Sequence, residues 1–211
     1  EGRVMLPADQ VFVVAVSGVS AQKTQGARGA YNQAADRAAR LLTLWRERSG
    51  RPEGSLFEAL ASSPDNLDRL RDIIASERAI DEGERAALAA RLTQFHEETF
   101  VLIPAAFAAL AAGDLGAFGD AVLRSQRGAE RGLANQIEET IALADLAREA
   151  GALAASAFGA GFGGSVWALV PVTEVSDFTE RWRATYTSRF DHPGARFLVT
   201  SAGPPLLRAR L

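Results

Sequence analysis

Four glycines fall within six residues, at Gly159, Gly161, Gly163 and Gly164, with Ala160 and Phe162 between them. Without side chains, such residues let backbone N–H groups come close to a ligand and let the chain take positive φ. Successive exposed N–H groups make a concavity that suits an anion, phosphate above all. A tight hairpin that needs glycine only for its turn is the other reading of the same window. A dinucleotide or Walker fingerprint is excluded, because no lysine follows the glycines and Ser165–Val170 is too apolar and β-like to open the required helix.

Few other residues could do chemistry. Tyr31 places a phenol near the start of a helix, behind the polar loop Ser20–Gly29. There it can hydrogen-bond or stack on a ligand, or packs at the head of an apolar stripe. Lys23 and Arg28 flank that loop and read either as phosphate contacts or as solvated charges. His96 stands beside Glu97 and Glu98, but adjacent positions on a helix point apart. Glu138, Glu139 and the pair Asp145 and Arg148 read as solvated helix faces. The two histidines, His96 and His192, lack metal-ligand spacing, and there is no cysteine for thiolate chemistry or disulfides. A net charge of −3 gives no electrostatic case for a nucleic-acid partner. No apolar run reaches about eighteen residues and no basic–apolar leader appears, so no membrane partner is expected and the cytoplasm is the default location.

The elements that must position these residues follow from periodicity. Val11–Val16 is a β-favouring run unbroken apart from Ala15, closed by Gly18. A helix follows from about Arg28, with Tyr31, Ala34, Ala38, Leu41 and Trp45 on one stripe. Ser63-Pro64 reads as the cap and first turn of a short helix through Ile74. Asp81 and Glu84 have capping-box spacing at the head of a long tract that Pro104 should kink. Gly113-Asp114 reads as a C-cap followed by the next N-cap, and Gly128 with Gly132 predicts close helix approach or a bend. A helix over about 136–150 then delivers the chain into strands at 153–158 and 165–170. A helix marked by Phe178 and Trp182 and a last strand at 196–200 complete the order. Four strands beside several helices predict an α+β two-layer domain with a mostly antiparallel sheet.

GAGFGGSVWALV, from Gly159 to Val170, resembles the third conserved motif of the GHMP kinases in its galactokinase form. VFVVAVSGVS followed by ARGAYNQAADRAARLL, and AALAAGDLGAFG, resemble two further segments of that family, in family order. The resemblance implies a ferredoxin-like C-terminal sandwich spanning 1–211, with a helical insertion over about 50–135. It implies that Gly159, Ala160, Gly161, Phe162, Gly163 and Gly164 lie near the phosphates of ATP bound with Mg²⁺. Tyr31 matches the family tyrosine that approaches the sugar, and Ser17 matches the serine of its Asn-Ser pair. The implied function is phosphoryl transfer from ATP to a monosaccharide. A non-catalytic sugar-binding or regulatory protein on the same scaffold is the alternative, and an all-helical interaction module with a Gly–Phe hinge is a third.

Departures from the family pattern are plain. Phe158 stands where galactokinases carry Thr, Ser156 where they carry Arg, Ser165 for a frequent Cys, Val16 for Asn and Ala34 for Arg. The family's ATP loop and the arginine–aspartate pair that activates the sugar belong to its N-terminal domain, and neither motif occurs in these 211 residues. The sequence is therefore expected to be the C-terminal part of a longer protein, without catalytic residues of its own and inert alone. Phe158, Phe162 and Trp167 should form an apolar patch, with Trp167 the most buried of the three. The 211-residue chain should then run as a dimer or larger species in light scattering, and a monomer would overturn this expectation.

Overall fold

The computed structural model describes residues 4–20, 25–159 and 161–203, with the backbone alone over 25–32. The β-favouring run at the start forms β1, Gln10–Val16, which lies between two strands from the far end of the chain. These are β3, Ser165–Pro171, and β4, Arg196–Thr200, while β2, Ala154–Ala157, pairs with the outer side of β3. The order is β2-β3-β1-β4 and every neighbouring pair is antiparallel. Val14 faces Trp167 on one side and Leu198 on the other, which fixes the register.

Side chains alternate between the two faces of this sheet. On one face Val13, Ala15, Ala155, Val166, Ala168 and Val170 pack against α7, Glu138–Glu149, and α8, Val175–Arg189. Leu143, Ala147, Phe178, Trp182 and Tyr186 fill that interface. Trp182 has its indole N–H satisfied by the Leu143 carbonyl at 3.0 Å, so a buried polar group is not left unpaired. Helices on one face of a β–helices–β–β–α–β order are the ferredoxin-like arrangement. The other face carries Phe12, Ala154, Trp167 and Leu169, and only its β2 side is covered, by Val122 of α6, Leu115–Gly128. Trp167 is consequently half-buried, edge-on to Phe12 at 5.7 Å, rather than sunk in a core. Phe162 is likewise half-buried, while Phe158 is 50% exposed. Toward β4 the same face thins out, and Leu198 is 56% exposed.

A second core lies in the helical part. Leu41, Leu44 and Trp45 of α1, Gln25–Ser49, meet Leu56 and Leu60 of α2, Leu56–Ala61. Leu70 and Ile74 of α3, Asn66–Ser76, and Leu88 and Leu92 of α4, Glu82–His96, close it. The helical packing thus begins inside α1, ahead of residue 50. Ser63-Pro64 does not start a helix. The cap falls earlier, where Ser55 accepts from the Glu58 N–H at 3.1 Å, and α3 begins only at Asn66. Buried Asn66 explains the shift: its amide donates to the Ala59 carbonyl at 2.8 Å and to Ser62, so Ser63 and Pro64 become the turn between α2 and α3. Asp81 does cap α4, accepting from the Glu84 N–H at 2.8 Å.

Pro104 produces no break. α4 runs on through a π turn, Glu97–Leu102, into α5, Ile103–Ala112, as one helix of 31 residues. A proline cannot donate to the carbonyl four residues back, here Phe100, and its ring would strike it. Widening the helix over that stretch accommodates both effects. The joined helix is long and apolar enough to cross a membrane by length and composition, although no single apolar run in it is that long. Gly113 ends it in the left-handed conformation at φ 72°, and Asp114 caps α6 by accepting from the Ala117 N–H at 2.9 Å. A second π turn, Ala129–Leu133, follows α6 and brings Gly132 hard against α4. A Cβ there would lie 2.4 Å from Gln94 Cβ.

α6 meets β2 equally closely through Gly119, where an added Cβ would lie 2.0 Å from the Leu153 carbonyl oxygen. Because the obstacle is backbone, relief requires the helix to move off the sheet. Gly119→Ala should therefore destabilise the chain by about 1–3 kcal/mol. Urea unfolding checks this, and an unchanged midpoint would mean that α6 is not clamped.

Candidate functional site

The glycine segment joins the two strands of the β2–β3 hairpin and is gripped from three directions. The Phe158 N–H donates to Ser165 O at 3.0 Å, the Phe162 N–H to Asn135 O at 2.6 Å, and the Gly164 N–H to Val19 O at 3.0 Å. The N–H groups of Gly159, Gly161 and Gly163 have no acceptor among the described residues. From Gly161 to Gly164, residues whose N–H groups hold the loop thus alternate with residues whose N–H groups have no acceptor among the described residues. Gly161 cannot be anything larger: at φ +76° an added Cβ would lie 1.9 Å from Asn135 O. Phe162 also takes the left-handed conformation, at φ 57°, which costs a non-glycine residue on the order of 1 kcal/mol. The bond from its own N–H to Asn135 offsets that strain. Ala160 lies outside the described residues.

Asn135 is the main brace, and nothing local in the sequence singles it out. Its side-chain amide donates to Gly159 O at 3.2 Å while its carbonyl holds Phe162, so one residue secures both limbs of the loop. It follows Ala134, whose left-handed φ of 51° turns the chain out of the second π turn and toward the hairpin. The readable signal was a polar Asn-Gln pair between two helical stripes, which marks a loop but not its partner.

Ser17 reaches the loop through its backbone. Its N–H donates to Gly164 O at 2.8 Å and its carbonyl accepts from the Tyr186 hydroxyl at 2.7 Å. The residue is fully buried, and its hydroxyl is turned to Val19. Behind it, Gly18 packs on His192, whose ring nitrogen lies 3.0 Å from Glu139. Tyr31 lies in α1 where only the backbone is described, as does Arg28, and Lys23 is outside the described residues. His96 pairs with neither neighbouring carboxylate and instead lies 5.3 Å from the Phe100 ring. Glu138 is bonded to Arg189 and is exposed, as a solvated face requires. Asp145 is not free, because Arg127 holds it at 2.6 Å.

Under the loop, two of the five positions that depart from the family pattern show different surroundings. Phe158 sits at the rim. Ser156 points away from the loop and donates to Gln126 Oε1 at 3.0 Å. The same oxygen accepts from the Ala157 N–H at 2.9 Å, and the Gln126 amide donates to Glu130 at 3.0 Å. Glu130 in turn binds Arg127, and with Asp145 it raises the pKa of that guanidinium. A buried polar strut therefore ties the end of β2 to α6. From the sequence Gln126 reads as a loose match to a family Ser-His or as a helix-surface residue, whereas the structure buries it. No cluster of three His, Cys, Asp or Glu residues suited to a metal ion occurs among the described residues.

Residues 106–188, which include α6, α7, the hairpin and most of α8, match the family described as GHMP kinases C terminal. Over that stretch the chain resembles the C-terminal part of GHMP kinases. Its structure is similar to that of Lactococcus lactis galactokinase complexed with galactose, with a TM-score of 0.72 and 27% identity over 92% of this chain. That match covers 46% of the galactokinase, so the chain spans about half the length of the protein it resembles. A weaker likeness, with a TM-score of 0.44 and 15% identity, is to L. major mevalonate kinase in complex with R-mevalonate, over 91% of this chain and 43% of that one. No curated protein matches the sequence. The glycine loop described above lies within the matched stretch.

The phenol that holds β1 beside that loop gives a titration test. Burial, and after it the Glu139 carboxylate, push the Tyr186 pKa up to about 12. An unfolded tyrosine ionises near 10. The stability this group contributes is therefore present below about pH 10 and is lost as pH rises toward 12. An absorbance titration of tyrosinate should show one step close to 12, removed in Tyr186→Phe, accompanied by alkaline unfolding. A Tyr186 step near 10 would show that the buried bond to Ser17 is not kept.

Proposed function

We propose that this domain belongs to an ATP-dependent sugar kinase resembling galactokinase, which transfers a phosphoryl group to a hydroxyl of a monosaccharide. The observation that carries the reading is the alternation in the loop. The N–H groups of Gly159, Gly161 and Gly163, which have no acceptor among the described residues, belong to a backbone held by Asn135, Val19 and Ser165. Donors fixed in advance stabilise developing negative charge without reorganising, which is most of what phosphoryl transfer asks of a protein. Bound ATP, with Mg²⁺, supplies the phosphoryl group. Gly159 to Gly164 would hold its phosphate oxygens, and no Mg²⁺ ligand is assigned to this chain. Tyr31 and the Ser17 turn would border the sugar. The partner that completes the cleft would be an N-terminal domain of the same protein, with the helical part over about 50–135 an addition to the C-terminal one.

A second reading is a sugar-binding or regulatory protein that has lost transfer. Ser156, turned inward to Gln126, and the exposed Phe158 favour it, because both stand where the family carries side chains suited to the site.

Coupled ADP-release assays of the full-length protein with galactose, mannose and heptose distinguish the two. Turnover is expected with one of them, and Gly161→Ala should lower kcat by roughly 10²-fold. Sugar binding by calorimetry without ADP release supports the second reading, and no ATP turnover with any sugar removes the first.

A further inference from the structure

β4 is an outer strand of the sheet, and among the described residues nothing pairs with the edge it turns away from β1. The other outer strand is better guarded, because the Ala157 N–H of β2 is taken by Gln126 of α6. A bare edge offers a row of N–H and C=O groups to any extended chain, and proteins usually blunt it with lysine, proline or a bulge. β4 reads Arg-Phe-Leu-Val-Thr, with neither lysine nor proline. Its register with β1 runs from Arg196 to Thr200 without a bulge.

The side chains of β4 show what kind of partner this edge lacks. Leu198 lies opposite Val14 and so shares the face that α6 leaves bare. Val199 lies opposite Val13, on the face that α7 and α8 cover. Yet the two are almost equally exposed, Leu198 at 56% and Val199 at 55%. A helix or ligand laid on the sheet would cover only one of them. A further strand brings neighbours to both faces at once, because its side chains alternate beside those of β4.

The residues of β4 suit a second copy of the same strand. In antiparallel pairing about a two-fold axis at Leu198, Leu198 meets its own copy, Phe197 meets Val199 and Arg196 meets Thr200. The one charge of the strand then sits at opposite ends of the ladder, whereas parallel in-register pairing would set arginine beside arginine. A fold-back of Pro204–Leu211 onto the same edge would likewise bring Arg208 and Arg210 toward Arg196. We propose that two copies of this chain pair through β4, joining their four-stranded sheets across a two-fold axis. Only five residues of each copy form the ladder, so the dimer is weak, with a dissociation constant of about 10–100 µM. The surface is separate from the glycine loop and from Phe158, and the proposal does not rest on the sugar-kinase reading.

Sedimentation velocity of the 211-residue chain from ~5 µM to ~1 mM tests this, and a reversible monomer–dimer equilibrium is expected. Leu198→Lys and Leu198→Glu each place like charges opposite one another at the axis, and each should weaken self-association at least about tenfold. Because Leu198 is exposed, both variants should keep the melting temperature of the parent. An equimolar mixture of the two should recover association, since lysine then faces glutamate. Phe158→Ser should leave the equilibrium unchanged. Undiminished dimers in both Leu198 variants, or no recovery on mixing them, would overturn the proposal. So would a chain that stays monomeric to ~1 mM, or one that dimerises only after removal of Pro204–Leu211, which would assign the edge to its own tail.

Discussion

Strand β1 has no hydrogen-bond partner near it in the chain, and the rest of the structure follows from that. Both of its neighbours, β3 and β4, arrive only after every helix of the insertion has been laid down. The sheet can form only by closing that loop, and the entropy of closure must be met before any ladder bond repays it. The separate helical core answers this constraint. It buries Trp45, Leu70, Leu88 and their neighbours among themselves, so the long connection is compact before its ends meet. Gly119 and the Gln126 strut then lock α6 to β2, and the hairpin is set beside β1.

The same topology explains why the glycine loop can be rigid. Two of its braces, Val19 and Asn135, come from distant parts of the sequence and meet Ser165 of the hairpin only when the sheet and the helices are both assembled. A loop with this much glycine would otherwise sample many backbone states. Here the conformation is imposed from outside, and even Phe162 is held at positive φ. Loop geometry is thus a property of the whole fold rather than of the six residues that form it.

Much of this was legible in the sequence. The four strands, the Gly113-Asp114 junction and the close approach at Gly132 follow from alternation, capping chemistry and the absence of a side chain, all of which are local. What was not legible is non-local. Asn135 and Gln126 are unremarkable polar residues until the hairpin is folded against them. The six-residue α2 is too short to show a period, and the buried amide of Asn66 decides where α3 begins. Alternation makes Trp167 the most buried of the three patch aromatics, but alternation says only which face a residue takes. Whether that face is covered depends on α6, which reaches β2 and leaves the β4 side bare.

The π turn before Pro104 has a consequence for how relatives are compared. A π turn holds one residue more than the α-helical turn it replaces, so it is an insertion that the helix absorbs without opening a loop. In a relative that keeps plain α geometry there, residues before Glu97 and after Leu102 would match only with a one-residue gap inside a continuous helix. An alignment that forbids gaps in helices would rotate Ile103–Ala112 by about 100° and assign its buried positions to exposed ones. The gap belongs where the helix is widest.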